Sequence, residues 1–260
     1  MKQRLDLALV ERGLAESRAR AQALIMAGEV MVNGQRADKP GMSVPTAAEI
    51  TIKASLPYVS RGGLKLAHAL DAFNLHDRVR GKVALDIGAS TGGFTDVLLQ
   101  AGASRVYAVD VGTNQLAWKL RQDPRVVVME QTNFRYLQTL PEQADLATAD
   151  VSYIGLDLIT PPAIFLTTSD AFMVFLIKPQ FEAGREQVSK GGVVRDPKVH
   201  RDVIIRLASM WQERGLYLVG LARSPITGPA GNIEYLVYLE KQPPVQQFDL
   251  KTELERVLGD

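Results

Sequence analysis

The stretch VALDIGASTGGF, residues Val83 to Phe94, predicts the fold of most of the chain. Its apolar residues surround one acid, Asp86, and a glycine-rich run follows at once, from Gly88 to Gly93. This order is typical of a buried parallel strand, a tight turn and the start of a helix. Glycine lets the turn bend and a ligand approach the backbone, and the free N–H groups of the helix start face the same space. An ordinary glycine turn in an α/β sheet remains the alternative for this stretch alone.

Two kinds of cofactor site use such a turn. A dinucleotide site has the pattern G-x-G-x-x-G, but here Ser90 replaces the middle glycine and Asp86 precedes the first glycine, Gly88. The pattern acid-x-Gly-x-Ser-x-Gly resembles the S-adenosylmethionine (SAM) loop of class I methyltransferases more closely. Asp110, about 20 residues past the turn, ends the second predicted strand and is placed to hold ribose hydroxyls. Both NAD and SAM contain such hydroxyls, so Asp110 supports a nucleoside without choosing between them.

Composition limits the classes of function. The chain has 260 residues, no cysteine, three histidines and a formal net charge of +1. Disulfides and thiolate metal sites are therefore excluded, and the histidines lack metal-ligand spacing, so we predict no metal site. The N-terminus has no apolar core of signal-peptide length, and the longest apolar run, Ala171 to Ile177, is too short to cross a bilayer. We expect a cytoplasmic protein.

Strand and helix patterns alternate after residue 60. Strands are predicted at Val83–Ile87, Arg105–Val109, Val126–Met129, Asp145–Ala149, Ala171–Ile177, Tyr217–Ala222 and Tyr235–Leu239. Helices are predicted at Leu64–Phe73, Phe94–Ala101, Gln115–Arg121, Arg201–Arg214 and Leu250–Leu258. This alternation indicates a doubly wound, largely parallel sheet, which binds its ligands at the carboxyl ends of the strands. Polar residues fall at or near four such ends, namely Asp86, Asp110, Asp150 and Lys178.

The first 55 residues follow a different pattern. Apolar residues at helical spacing run from Arg4 to Val10, and Ser17 is a typical N-cap for a second helix. Asn33-Gly34 between short apolar segments predicts a hairpin with a type I′ turn, and Ile50–Ile52 predicts one more strand. These elements form a small helix-helix-hairpin unit.

Two arginines, Arg18 and Arg20, lie in the first turn of the second helix. Cations oppose the helix dipole there, but a site that binds phosphate would tolerate them because backbone N–H groups and arginines then act together. Two solvated arginines are the alternative on spacing alone.

The segment RLDLALVERGLAESRARAQALIMAGEVMVNG, Arg4 to Gly34, resembles the RNA-binding module first described in a small-subunit ribosomal protein and shared by pseudouridine synthases. The match is carried by Arg4-Leu5-Asp6, Ser17-Arg18, Ala21, Ile25, Gly28, Val30, Val32 and Asn33-Gly34. The resemblance implies that the arginine-bearing helix and the turn beside it face RNA, and we expect Arg4, Arg18 and Arg20 to contact its phosphates. A docking module that binds no RNA is the alternative.

Seven further motifs resemble the TlyA family, and together with the front module they cover essentially the whole chain. They are SRGGLKL (60–66), LDIGASTGGFTD (85–96), YAVDVG (107–112), ADVSYI (149–154), IKPQFEAGRE (177–186), GGVVRDP (191–197) and SPITGPAGNIEYL (224–236). Members of this family act as rRNA 2′-O-methyltransferases on cytidine, although many descriptions call them haemolysins. The resemblance implies an RNA-binding module at 1–55, a linker at 56–59 and, at 60–260, a class I SAM-dependent methyltransferase domain with a Rossmann-like seven-stranded sheet.

The catalytic domain of this family is related to the FtsJ (RrmJ) rRNA methyltransferases, which use a lysine-aspartate-lysine-glutamate tetrad. Carried onto this chain, the tetrad is Lys65, Asp150, Lys178 and Glu234. The SAM-binding residues implied by the resemblance are Asp86, Gly88, Ser90, Gly92, Asp110 and Asn133. The linker, Leu56-Pro57-Tyr58-Val59, departs from the family pattern, in which an arginine and a tryptophan often precede the valine.

Methylation of a ribose hydroxyl requires that its proton be removed, and a lysine whose pKa is lowered by burial or by a neighbouring cation can accept it. We expect the ribose to enter between Lys65 and Lys178, Lys178 to take the proton, and Asp150 and Glu234 to hold the lysines. The expected cofactor is SAM and the expected partner is ribosomal RNA. The alternatives are an RNA-binding factor without catalysis, a membrane-lytic protein, and a nicotinamide oxidoreductase, which Ser90 disfavours.

Overall fold

The computed structural model describes residues 2–52, 56–246 and 248–259. It divides the chain into two compact units, Met1–Pro57 and Tyr58–Asp260. Parts of the predicted front module, residues 1 and 53–55, lie outside the described residues, as do residues 247 and 260 of the second unit. The division falls within the stretch predicted as a linker, and the predicted bounds of module, linker and domain stay a prediction.

The first unit is built from short strands and two helices. The helices are α1 (Leu5–Glu11) and α2 (Arg18–Met26), and the strands are β1 (Lys2–Arg4), β2 (Val30–Val32), β3 (Gln35–Ala37), β4 (Ser43–Pro45) and β5 (Ile50–Ile52). β1 pairs with β4, and β2 lies between β3 and β5, all antiparallel. The core packs the apolar faces of both helices on the three-stranded sheet, with Leu5, Leu9, Ile25 and Val30 fully buried.

Two local predictions for this unit are confirmed. The hydroxyl of Ser17 accepts the backbone N–H of Arg20 at 3.2 Å, as an N-cap does. Asn33 and Gly34 connect β2 to β3 with φ of 49° and 78°, the positive values that a type I′ turn requires. The predicted start of the first helix is wrong, because Arg4 ends β1 and is extended, with φ of −69° and ψ of 141°.

The second unit is a seven-stranded sheet flanked by helices. Its strands are β6 (Val83–Ile87), β7 (Arg105–Val109), β8 (Val126–Met129), β9 (Ala144–Ala149), β10 (Thr167–Ile177), β11 (Tyr217–Arg223) and β12 (Tyr235–Glu240). Its helices are α3 (Gly63–Ala72), α4 (His76–Val79), α5 (Gly93–Gln100), α6 (Trp118–Arg121), α7 (Leu156–Leu166), α8 (Pro179–Glu182), α9 (Pro197–Glu213) and α10 (Leu250–Leu258). The strand order is β11-β12-β10-β9-β6-β7-β8, parallel except for β12, which runs antiparallel to both neighbours. The predicted class I architecture is confirmed.

The two faces of this sheet carry separate cores. Successive side chains of a strand point to opposite faces, so Ala84 of β6 packs in one core and Leu85 in the other. Helices α3 and α5 cover the face of Ala84, while α7, α9 and α10 cover the face of Leu85. The sheet is therefore buried on both sides, and its carboxyl edge is left for a ligand.

Helices α6 and α7 differ most from the sequence prediction, which also lacks the short helices α4 and α8. No helix is predicted between β9 and β10, yet α7 lies there and includes both Pro161 and Pro162. Pro161 has no N–H for the carbonyl of Asp157, and Arg214 donates to that carbonyl instead at 2.7 Å. The helix predicted at Gln115–Arg121 is reduced to α6, because the Glu130 carboxylate accepts the backbone N–H groups of residues 114–116 and holds them in a loop.

Candidate active site and cofactor cleft

The predicted site residues of the second unit assemble at the carboxyl edge of its sheet, around two adjoining pockets. One pocket, of about 290 Å³, is lined by all four residues of the predicted tetrad. The other, of about 710 Å³, is lined by Asp110 and Asn133. The lining residues common to both pockets are Gly88, Ser90, Asp150 and Ser152. The two pockets therefore adjoin beside the glycine-rich turn, and Asp150 of the tetrad lines both of them.

The tetrad forms one continuous chain of ion pairs. Lys178, which follows β10, places Nζ 2.5 Å from Asp150 Oδ1 and donates to Ser152 Oγ at 3.0 Å. Lys65 of α3 places Nζ 3.4 Å from Asp150 Oδ2 and 2.7 Å from Glu234 Oε2, just before β12. The contact between Lys65 and Glu234 is an ion pair without the alignment of a hydrogen bond. The structure thus brings together all four residues that the family resemblance assigned to the tetrad.

Burial makes this network chemically unusual. The side chains of Lys65 and Lys178 are only 8% and 9% exposed, and that of Glu234 is 1% exposed. Two amines and two carboxylates balance in charge, so neither sign is left buried alone. Charged and polar groups interact more strongly in this buried network than they would in bulk water. Such a buried network is an environment in which a proton can be moved between fixed groups.

The glycine-rich turn has two positions, Gly88 and Gly92, at which the backbone conformation and the neighbouring atoms favour glycine. Gly88 and Gly92 have φ of 82° and 97°, and Ser90 between them has φ of 49°. A Cβ added to Gly88 would lie 2.9 Å from the carbonyl oxygen of Asp150, and one added to Gly92 would lie 2.2 Å from Leu120 Cδ1. The turn is thereby held closely against the end of β9, where the tetrad begins.

The larger pocket has the donors and acceptors that a nucleoside needs. The Asp110 carboxylate accepts the backbone N–H groups of Ser90 and Gly112 at 2.8 and 2.7 Å. A carboxylate has about four acceptor positions, so it can also accept ribose hydroxyls. Asn133 accepts the N–H of Arg135 through Oδ1, which directs its amide nitrogen to serve as a donor. Apolar lining residues complete the pocket, among them Val111, Ile154, Leu158 and Ile159.

Asp86 lies beneath the turn, apart from the ligand pockets. Its carboxylate is fully buried and accepts the hydroxyls of Thr95 and Thr148 at 2.6 and 3.1 Å. Burial raises the pKa of Asp86 to about 6. Asp86 is absent from the described lining of both pockets, and its assignment as a cofactor residue stays a prediction.

Sequence reasoning missed several residues at the mouth of the site. Ser152 holds the amine of Lys178, and Tyr153 beside it is 91% exposed with a φ of 62°. A positive φ is strained for an aromatic residue. The Tyr153 ring lies 4.9 Å from the ring of Phe181, centroid to centroid. These residues carry no charge and no motif spacing of their own, so only the motifs that contain them could have drawn attention to them.

The predicted RNA-binding arginines separate into a pair and a third residue. Arg4 donates to both carboxylate oxygens of Asp6 at 3.0 and 2.9 Å, and Arg18 Nε donates to Asp6 Oδ2 at 2.9 Å. The Arg4 guanidinium holds the pKa of Asp6 well below its usual range. Arg20 instead lines a depression that also contains Glu16 and Glu29. The structure brings Arg4 and Arg18 together and leaves Arg20 outside this cluster.

Comparison with known families identifies both units. Residues 58–241 match the family described as FtsJ-like methyltransferase. The chain belongs to the FtsJ-like methyltransferase family. Residues 3–50 match the S4 domain family. The chain is therefore an enzyme of a SAM-dependent methyltransferase family, with an S4 domain in front.

Individual relatives agree with this assignment. The Bacillus subtilis protein YqxC, provisionally described as an rRNA methyltransferase, is 55% identical over 245 residues, which cover 92% of this chain and 85% of that protein. The 16S/23S rRNA (cytidine-2′-O)-methyltransferase TlyA of Mycobacterium tuberculosis is 47% identical over 243 residues, covering 92% and 90%. A solved structure of a Streptococcus thermophilus protein, provisionally described as a hemolysin, is 47% identical and covers 99% of this chain and 94% of its own, with a TM-score of 0.76. The resemblance to the TlyA family is confirmed.

The hemolysin description of one relative raises the lytic alternative again. Across the described ranges, no helix is both long enough and apolar enough to span a bilayer. The family match and the assembled tetrad, which are positive observations, favour the methyltransferase reading.

Proposed function

We propose that this enzyme methylates the 2′-hydroxyl of a cytidine ribose in ribosomal RNA. The observation that carries the proposal is the chain of ion pairs from Glu234 through Lys65 and Asp150 to Lys178, in a pocket that adjoins the larger pocket. The M. tuberculosis relative is named for this reaction on cytidine, and that name supports the choice of ribose and base.

The contacts of each tetrad member support a distinct role. Lys178, in its neutral form, accepts the proton of the ribose hydroxyl at Nζ. Asp150 and Ser152, 2.5 and 3.0 Å from that nitrogen, fix its position. Lys65 contacts the acceptor nucleotide from the other side of Asp150, and Glu234 holds Lys65 in place. A positioned base of this kind contributes about 10²- to 10⁴-fold to a rate.

The residues of the larger pocket fit SAM. When bound, SAM supplies a methyl carbon activated by its sulfonium. Asp110 would accept the ribose hydroxyls of SAM and Asn133 would donate to its base, while Gly88, Ser90 and Gly92 shape the turn at the edge of the pocket. Asp86 supports that turn from beneath through Thr95 and Thr148. Holding both reactants in one geometry removes much of the entropic cost of their encounter.

The front module, which we place at residues 1–55 with a linker at 56–59 before the domain at 60–260, docks the enzyme on ribosomal RNA. Arg4, Arg18 and Arg20 contact phosphates, which carry most of the affinity in such complexes. The match to the S4 domain over residues 3–50 supports this role. Because the substrate is ribosomal RNA, we expect the enzyme to act in the cytoplasm.

The test is transfer of labelled methyl from SAM to purified small and large ribosomal subunits, with wild type and Lys178→Ala. We expect label in the RNA of at least one subunit with wild type only, at a position that resists alkaline cleavage because its 2′-oxygen is blocked. The subunit whose RNA carries the label is the substrate. If neither subunit is labelled although SAM binds, the proposal fails and an RNA-binding factor without catalysis becomes the better account.

A further inference from the structure

We infer that Asp6 is a positioning residue that fixes Arg4 and Arg18 as one preformed phosphate-binding pair. The inference rests on the proposed docking of the front module on RNA. Asp6 lies in the first turn of α1 and is fully buried, whereas the side chains of Arg4 and Arg18 are 47% and 54% exposed. The acid thus connects the end of β1, the start of α1 and the start of α2 at one point.

The hydrogen bonds of Asp6 use the whole carboxylate. Oδ1 accepts from Arg4 Nε and from the backbone N–H of Leu7, both at 3.0 Å. Oδ2 accepts from Arg4 Nη2 and Arg18 Nε at 2.9 Å and from Gln22 at 3.0 Å. A carboxylate has about four acceptor positions, so these five donors saturate it. Asp6 is therefore committed to holding the arginines.

The arginines keep donors for a ligand after binding Asp6. Each guanidinium carries five N–H donors. Arg4 donates to Asp6 through Nε and Nη2, and Arg18 donates through Nε. The cluster of two cations and one anion keeps a net charge of +1, with its cations at the surface and its anion inside. This arrangement suits a phosphate group, which guanidinium groups bind with two parallel hydrogen bonds.

By fixing the two arginines before RNA binds, Asp6 would increase the affinity for RNA, although its negative charge alone would decrease it. A long side chain that is already fixed loses less conformational freedom when it binds than a mobile one does. Counting charges predicts that neutralising Asp6 strengthens RNA binding, because the cluster then carries +2. Positioning predicts the opposite sign, because the two guanidinium groups are released from their common anchor.

The experiment measures the affinity of the full chain for purified ribosomal subunits over a series of salt concentrations. The variants are Asp6→Asn and a matched control, Asp38→Asn, which removes the same charge from an exposed acid of the same unit. We expect Asp6→Asn to bind about tenfold more weakly, with a shallower dependence of log affinity on log salt because phosphate contacts are lost. Asp38→Asn should bind as tightly as wild type or more tightly. Binding by Asp6→Asn that equals or exceeds that of Asp38→Asn overturns the inference.

A second variant keeps the test decisive if Asp6→Asn does not fold, which hydrogen exchange of residues 2–52 would reveal. Arg4→Lys/Arg18→Lys retains Asp6 and both charges but loses the planar fork that Asp6 holds. We expect several-fold weaker binding, and wild-type affinity would overturn the inference. Arg4→Ala/Arg18→Ala separates the two proposals. If Arg4→Ala/Arg18→Ala binds like wild type, docking through these arginines is wrong. If Arg4→Ala/Arg18→Ala loses affinity while Asp6→Asn keeps it, only the role of Asp6 is wrong.

Discussion

The smaller pocket, which the tetrad lines, buries its cations, whereas the front module exposes them. In the pocket, Lys65 and Lys178 are 8% and 9% exposed. In the module, Arg4 and Arg18 are about half exposed, at 47% and 54%, and their anion is inside. Lysine can lose its proton and arginine in effect cannot. On the proposed function, one chain uses cations for two purposes, with lysine where a proton moves and arginine where a permanent charge binds phosphate.

The two regions also differ in the partners of their fully buried acids, Asp6 and Asp86. Asp6 is surrounded by guanidinium and amide donors, and its pKa lies well below the ordinary range. Asp86 has two threonine hydroxyls and no cation bonded to it in the described contacts, and burial raises its pKa to about 6. Burial alone does not set the charge of a carboxylate; its partners decide it.

Exchanging the two kinds of cation is the change with the largest expected effect. Lys178→Arg keeps a positive charge at the tetrad but cannot accept a proton, so we expect the methylation rate at saturating SAM and RNA to fall about 100-fold or more. The reciprocal exchange, Arg18→Lys, should leave this saturating rate unchanged, because Arg18 acts in RNA docking and the charge that docks RNA remains. Single-turnover kinetics of both variants measures the two effects. A Lys178→Arg enzyme with near-wild-type rate would show that Lys178 supplies charge alone.

Removing a buried cation should also weaken the fold, whereas removing an exposed one should not. Lys65→Ala leaves the carboxylate of Glu234 buried without its partner, so we expect the free energy of unfolding of the second unit to fall by about 3–5 kcal/mol. Arg18→Ala should cost the first unit at most about 1 kcal/mol.

Urea unfolding followed by tryptophan fluorescence reports the second unit, because both tryptophans, Trp118 and Trp211, lie there. Hydrogen exchange reports the first unit. The double variant Lys65→Ala/Glu234→Ala should recover part of the loss, since it leaves no lone buried charge. A loss below about 1 kcal/mol in Lys65→Ala would contradict the ion pair as described.

The two buried acids predict opposite responses to pH. Asp86 has a pKa of about 6 in the folded chain against an ordinary 3.8, so between these values the folded state binds more protons than the unfolded state. The free energy of unfolding of the second unit should therefore fall as pH rises from about 4 to 6, by up to roughly 3 kcal/mol relative to Asp86→Asn. Asp6 has a lowered pKa, so its stabilisation of the first unit is complete above its unfolded pKa and is lost only in stronger acid.

Urea titrations of wild type and Asp86→Asn at several pH values measure the first of these responses. Identical pH dependence in the two proteins would remove Asp86 as its source. Hydrogen exchange of the front module should show the same pH dependence in wild type and in Asp6→Asn over this pH range.

A change in the turn should separate cofactor binding from RNA docking. Gly88→Ala adds a Cβ 2.9 Å from the carbonyl oxygen of Asp150 at a φ of 82°, so we expect SAM affinity to fall roughly tenfold or more. Affinity for ribosomal subunits should be unchanged. The matched control is Gly215→Ala, with a φ of 74° and no atom within 4 Å of the added Cβ. Calorimetric titration with SAM compares the two variants, and equal affinities would mean that the turn does not shape the cofactor pocket.

Local pattern was sufficient for much of the fold. β6, β7, β8 and α10 have the bounds that the sequence predicts, because each is a short apolar or amphipathic run between clear turn residues. The tetrad could be named from the family resemblance, but spacing alone would not have done so, since its members lie on four separate segments. Their convergence follows from the order of the parallel strands, which brings the ends of β9 and β10 together.

The rest depends on contacts between distant residues. Helix α7 contains Pro161 and Pro162, and a side chain far along the chain, Arg214, replaces one missing backbone donor. Asp6 looks like one more polar residue of a helix start until α2 packs beside α1 and brings Arg18 to it. No pattern within a window of one sequence contains either contact, so neither could be predicted.

We propose that the arginines dock the RNA while the lysines carry out the chemistry. Single-turnover methylation measured against ribosomal subunit concentration tests it directly, because it yields both the affinity for the subunit and the rate at saturation. For Lys178→Ala we expect a loss of about 100-fold or more in the saturating rate, with unchanged affinity. For Arg4→Ala/Arg18→Ala we expect weaker affinity with an unchanged saturating rate. If both variants lower the same quantity, the division of labour between the two clusters is wrong.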